Sequence, residues 1–177
     1  MRSSSLDRHL WVPAAVTALI LALLSSCDDG LGPISNPSGI SGVLRFKNWP
    51  RADSVQELRL VAFKQYPHDS TLLLLEYALG RAAVYPPIGS TAFPKFLDSI
   101  PYSFTTEHTT LQVDKYDYIV VAWRYGRNPL VDWRPAGVYT IEPSTFNPAP
   151  VRILLHRIIP EINIECDFSN PPPRPWR

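Results

Sequence analysis

Cysteine is nearly missing from this 177-residue chain: Cys27 and Cys166 are its only two. One disulfide is therefore the most it could form, which excludes a disulfide-stapled scaffold. Histidine is sparse and scattered. His9, His68, His108 and His156 stand singly, with no close-spaced pair of the kind a metal site is built from. Glu107 and His108 are neighbours, but in a strand they fall on opposite faces. There is no glycine-rich phosphate loop and no Gly-x-Ser-x-Gly elbow. A surplus of either charge is also missing, with 17 basic against 16 acidic residues and no basic cluster. That balance excludes an electrostatic footprint for nucleic acid. Nor does any apolar run reach the roughly 20 residues that span a bilayer.

What is present begins with the leader. Arg2 and Arg8 form a basic start, diluted by Asp7, and an apolar stretch follows from Leu10 to Leu24, broken only by Pro13 and Thr17. Its length suits the apolar region of a secretory signal peptide, residues 1–26. The polar residues Ser25 to Gly30 end it sharply. Leu24-Ser25-Ser26-Cys27 resembles the lipobox of bacterial lipoproteins: an aliphatic residue, two small ones, then cysteine. The resemblance implies cleavage before Cys27, lipid on its thiol and attachment to a membrane of the cell envelope. An uncleaved anchor helix or an ordinary secretory signal is the alternative. Asp28 and Asp29 resemble the inner-membrane retention signal of enteric bacteria, though other bacteria read those positions differently, so outer and inner membrane both stay open. Residues 27–38, with Gly and Pro among them, read as a lipidated tether.

Cleavage removes Arg2, Arg8 and Asp7, so 15 basic residues face 15 acidic ones in what remains. About 150 residues make one domain that buries roughly two-thirds of its unfolded surface. With Cys27 alkylated, Cys166 has no partner. Ile162, Ile164, Cys166 and Phe168 alternate with polar residues, which puts the thiol on an inward strand face as an inert core residue.

Period two dominates residues 39–168. Ile40, Gly42, Leu44 and Phe46 share one face against Ser41, Arg45 and Lys47. Leu58, Leu60 and Ala62 alternate with Arg59, Val61 and Phe63, a strand buried on both faces. Further strands are predicted at Tyr102–Thr106, within Thr110–Tyr125, around Val138–Ile141, at Val151–His156 and at the Cys166 segment. About seven strands between turn-rich segments predict an all-β fold, an antiparallel β-sandwich. Residues 66–100 break the rhythm: one short helix over Thr71–Leu79, then a loop through Pro86–Ser90. Such an insertion carries function or covers a sheet edge. Residues 169–177 form a Pro-rich extended tail.

Ile40-Ser41-Gly42-Val43-Leu44-Arg45-Phe46 resembles the first strand of carboxypeptidase regulatory-like domains. Val55–Phe63 and Tyr118-Ile119-Val120-Val121-Ala122 resemble later strands of the same domains. The resemblance implies a transthyretin-like sandwich with an accessory, non-catalytic role; an immunoglobulin-like sandwich is the other form expected of the fold. The chain departs from it at Asp114-Lys115-Tyr116-Asp117, where such domains often carry a Pro-Gly-x-Tyr turn, and in the 66–100 insertion.

No catalytic residue and no cofactor is assigned. Asp114 and Asp117 are a carboxylate pair three residues apart, and Cys166 with His156 is the one thiol–imidazole combination; neither spacing argues for catalysis. Binding is the stronger reading. Trp123, Arg124, Tyr125, Trp133 and Arg134 concentrate the residue types that interfaces favour. Taken singly, Trp123 and Tyr139 read as core and Arg124 and Arg134 as solvated. Taken together, residues 123–139 are the candidate contact surface. The expected function is a lipid-anchored, non-enzymatic envelope lipoprotein that binds protein or aids assembly. A glycan-binding module is the second reading and a small hydrolase the third.

Overall fold

The structure, a computed structural model, describes residues 36–67, 73–107, 109–142 and 145–175. The leader, Cys27, most of the tether, His68 and His108 lie outside the described residues. Ten strands are present among those described: β1 Gly39–Lys47, β2 Glu57–Phe63, β3 Ala82–Tyr85, β4 Ser99–Thr105, β5 Lys115–Tyr116, β6 Tyr118–Arg124, β7 Trp133–Val138, β8 Val151–Arg152, β9 Ile158–Ile159 and β10 Ile164–Asp167. One helix, α1 (Leu73–Ala78), and a 3₁₀ turn at Ala52–Ser54 complete them. The fold is mostly β, as the alternation predicts.

One sheet has the order β10-β1-β4, with β9 also on β1; the other runs β3-β2-β6-β7, and β5 and β8 form a short ribbon. Most pairings are antiparallel, but β10 and β9 both run parallel to β1. The inward residues Ile40, Leu44 and Phe46 of β1, Tyr102 and Phe104 of β4 and Ile164 and Cys166 of β10 meet Leu58, Leu60, Ile119, Val121 and Trp123 of the second sheet in one core. At Gly42 the inward face carries no side chain, because a Cβ there would lie 2.3 Å from the Ile162 carbonyl oxygen. Tyr102, directly opposite Gly42, uses that space, and its hydroxyl donates to the Ile162 carbonyl at 2.7 Å.

The second sheet is buried on both faces, as the β2 pattern predicts. Its outer face holds Val61, Phe63, Ala82, Val84, Tyr118 and Val120, with Tyr66 and Tyr77 laid against them. Tyr77 belongs to α1, so part of the 66–100 insertion is a cover. The insertion also supplies β3, an edge strand that periodicity over four residues does not reveal. The loop after β3 is held by Arg59, which is buried. Its guanidinium donates to the carbonyls of Pro86 (2.6 Å), Pro87 (2.7 Å) and Ser90 (2.9 Å) and pairs with Glu57.

Three boundaries differ from the sequence reading. The strand expected around Val138–Ile141 lies upstream as β7, and Ile141 is exposed. Pro135 sits inside β7 because this is the sheet edge, where one missing N–H is tolerated. The strand expected over Val151–His156 is only two residues long, since the chain turns after Ile153 and leaves Leu155 in solvent. The long run to Tyr125 is split at Asp117 into β5 and β6.

The two sheets close on each other where β7 meets β10. A Cβ at Gly137 would lie 2.3 Å from the Glu165 carbonyl oxygen and 2.7 Å from Cys166 Sγ. Gly137→Ala forces that seam apart and should cost about 1–3 kcal/mol, as overpacking does, read as a lower urea midpoint. Arg59→Ala removes a donor from the Pro86, Pro87 and Ser90 carbonyls and one of the two arginine partners of Glu57, and should cost about 1–3 kcal/mol in the same measurement.

Candidate functional site

The candidate residues gather at one end of the sandwich. β6 ends with Trp123 and Arg124, β7 starts with Trp133 and Arg134, and the loop 126–132 joins them. Opposite ends of β1 separate this region from the start of the strand: β1 begins at Gly39, and Trp49, just beyond its last residue Lys47, belongs to the cluster.

Both tryptophans lie beneath the surface. Trp123 is 3% exposed and Trp133 5%. The Trp123 indole N–H donates to the Ser54 carbonyl (2.8 Å) and that of Trp133 to the Pro129 carbonyl (2.7 Å), so burial leaves neither polar handle unpaired. Arg124 is half-buried, bonded to Glu57 Oε2 at 3.1 Å and to the Gly126 carbonyl at 3.2 Å. Its guanidinium stands 6.0 Å from the Trp133 ring centre.

Arg134 is the centre of the group. Its guanidinium lies 4.1 Å from the Trp123 ring centre and 4.6 Å from that of Tyr125, a two-ring cation–π clasp. Arg174 approaches the Tyr125 ring at 5.3 Å. Burial, and then the nearby Arg174 charge, lower the pKa of Arg134 from the ordinary arginine value. The Pro-rich segment thus returns to the domain, and Pro172 is itself buried.

An aromatic chain extends the cluster across to the other sheet. Trp123 packs edge-on against Phe168 (4.9 Å), Phe168 stacks on Trp49 (4.5 Å), and Trp49 contacts Phe96 (5.1 Å). Trp49 and Phe96 carry no periodic signal in the sequence, since both lie in loops, and the sequence reading did not single them out. Phe96, Leu97, Leu130 and Val131 are all exposed at this end. They would have been legible only as apolar residues in loops, which alone is weak evidence for a surface.

Other combinations are not brought together. Cys166 pairs with Phe46 near the end of β1, whereas His156 meets Ser38 and Asn36 before its start. Cys166 is 1% exposed, and burial pushes its thiol pKa up. Asp114 pairs with Lys64 (3.0 Å) and Asp117 with Lys115 (2.7 Å). Among the described residues no group of three His, Cys, Asp or Glu side chains could hold a metal ion.

A groove of about 260 Å³ runs along the β7–β10 seam, with Lys47, Glu165 and Asp167 along it and Phe146 at its side. Its charges are mutually engaged. Lys47 bonds Glu165 at 2.7 Å, and Asp167 Oδ1 accepts from Asn48 Nδ2 (2.9 Å), Ser169 Oγ (2.7 Å) and the Ser169 N–H (2.9 Å). Those bonds, the Asn48 one first, bring the Asp167 carboxyl down to about 2. Its folded value lies below its unfolded one, so its contribution to stability is complete above the ordinary carboxylate range and is lost as pH falls through about 2. A carboxyl-carbon NMR titration should place the midpoint near that value, and Asn48→Ala should move it upward.

No protein-family model, no curated protein and no solved structure matches this chain.

Proposed function

We propose that this protein is a lipid-anchored, non-enzymatic lipoprotein of the bacterial cell envelope that binds another envelope protein through the end of its sandwich opposite the start of β1 at Gly39. The observation that carries the reading is the placement of the candidate residues. The lipobox-like Leu24-Ser25-Ser26-Cys27 precedes the domain by a short tether, and the chain enters β1 at Gly39. The nine residues of β1 then span about 26 Å at the usual rise per residue. At the far end lie Tyr125, Arg134 and Arg174, with exposed Leu130 and Val131 on one side and Phe96 and Leu97 on the other.

That composition, apolar loop tips around a rigid aromatic–arginine centre, is what protein interfaces favour. The clasp of Arg134 by two rings fixes its geometry before any partner arrives, which lowers the ordering cost of association. The resemblance of the Ile40–Phe46, Val55–Phe63 and Tyr118–Ala122 segments to carboxypeptidase regulatory-like domains supports an accessory role of this kind. The buried position of Trp123 and Trp133 favours protein over glycan as the partner, because the ring faces a sugar would stack on are already occupied by Arg134 and Arg124.

The test has two arms in cells producing the full chain. Cys27→Ala should abolish incorporation of labelled palmitate and release the protein from the membrane fraction. Retained label, or unchanged membrane association, counts against the anchor. A photo-crosslinking residue placed at Leu130 should capture one discrete envelope partner, while the same residue at exposed Ser103, on the open face of the first sheet, should not. Equal capture from both positions, or none from Leu130, removes the surface.

A further inference from the structure

The opposite end of the sandwich carries its own exposed apolar feature. After β8 the chain turns through Ile153–Arg157 before β9. Ile153 is buried, but Leu154 and Leu155 project outward, with Leu155 67% exposed at the tip. His156 holds a left-handed backbone, φ 54°, rare for a residue with a side chain and here supported by its surroundings. Its N–H donates to Ser38 Oγ at 2.8 Å, and its Nδ1 lies 3.3 Å from the Asn36 carbonyl. The Gly39 N–H donates to the Arg157 carbonyl at 3.0 Å. The turn is thereby fastened to the first described residues of the domain.

Exposed Arg152 and Arg157 flank the two leucines, and neither forms an ion pair among the described residues. Of the neighbouring acids, Asp114 bonds Lys64 and also feels the Arg152 charge without forming an ion pair with it, and Asp117 bonds Lys115. Glu107, beyond the end of β4, and Glu161, after β9, are exposed at the periphery.

We infer that the Leu154–Leu155 turn docks onto the lipid surface that carries the anchor, its leucines entering the headgroup boundary and Arg152 and Arg157 meeting lipid phosphates. The inference rests on the reading of Cys27 as acylated. Chain length argues for this occupant. Only residues 28–35 separate Cys27 from Asn36. Fully extended, that segment reaches about 30 Å, and as a flexible chain it averages about 17 Å. The turn sits where the tether joins the fold, so the lipid surface is at high effective concentration there and a weak contact suffices. Apolar residues flanked by arginine are the side chains that bind such an interface.

The experiment uses the mature lipidated protein with Leu155→Cys carrying an environment-sensitive fluorophore. With Cys27 alkylated and Cys166 buried, this is the one thiol open to label. Ser103→Cys provides the comparison on the open sheet face. In vesicles of phosphatidylglycerol and phosphatidylcholine with brominated acyl chains, emission from position 155 should shift to the blue, with quenching roughly threefold greater than at position 103. Arg152→Glu with Arg157→Glu should remove that difference while the protein still floats with the vesicles. A protein that floats with a fully hydrated probe at 155 overturns the docking and leaves the anchor standing. A blue shift that follows protein density and not bromine content identifies a second copy of the chain as the occupant, which also overturns it. A protein that fails to float overturns both readings.

Discussion

A strand's side chains repeat every two residues, so sliding β1 by one position would turn Ile40, Leu44 and Phe46 out to solvent and bring Arg45 and Lys47 into the core. The rest of this domain is referred to that register. β1 pairs with β4 on one side and with β10 and β9 on the other, so each of these takes its inward face from it. Gly42 sets the closest approach, letting the Ile162 backbone and the Tyr102 hydroxyl cross where any Cβ would intrude. The same strand separates the two ends of the molecule. One end holds the start of β1 at Gly39, and the other gathers the aromatic–arginine cluster.

The second constraint is closure between β7 and β10. Gly137 permits the two sheet edges to meet, and the contact leaves Cys166 buried. Closure also brings Phe168 under Trp123, linking the sheets through aromatic faces at the end that Arg134 caps. A guanidinium held between two rings is more desolvated than one in water, and the lowered pKa of Arg134 has that origin first. The cluster is thus both a piece of the core and the base of a surface.

The sheets differ in how their outer faces are treated. The first leaves Arg45, Lys47, Glu165 and Asp167 in solvent as cross-strand pairs, which contribute modestly. The second is apolar on both faces and needs the cover that α1 and its neighbours supply. The 66–100 insertion therefore has a structural reason to exist, and Arg59 anchors its descending loop to the sheet it protects.

The sequence by itself determined the β character, the burial of β2 on both faces and the inward position of Cys166, because side-chain alternation is a local property written into adjacent residues. It also marked residues 123–139 as chemically unusual, from residue type alone. It could not determine which strands are neighbours. That Pro135 belongs to a strand follows only from β7 being an edge, and that Val151–His156 stops short follows from the bond between His156 and Ser38, 118 residues away along the chain. The parallel seating of β10 and β9 on β1, the submergence of Trp123 and Trp133 and the exposure of Leu154 and Leu155 were decided by tertiary structure. Each depends on which distant backbone arrives to pair or to cover, and alternation along a strand says which residues share a face but not what that face will meet.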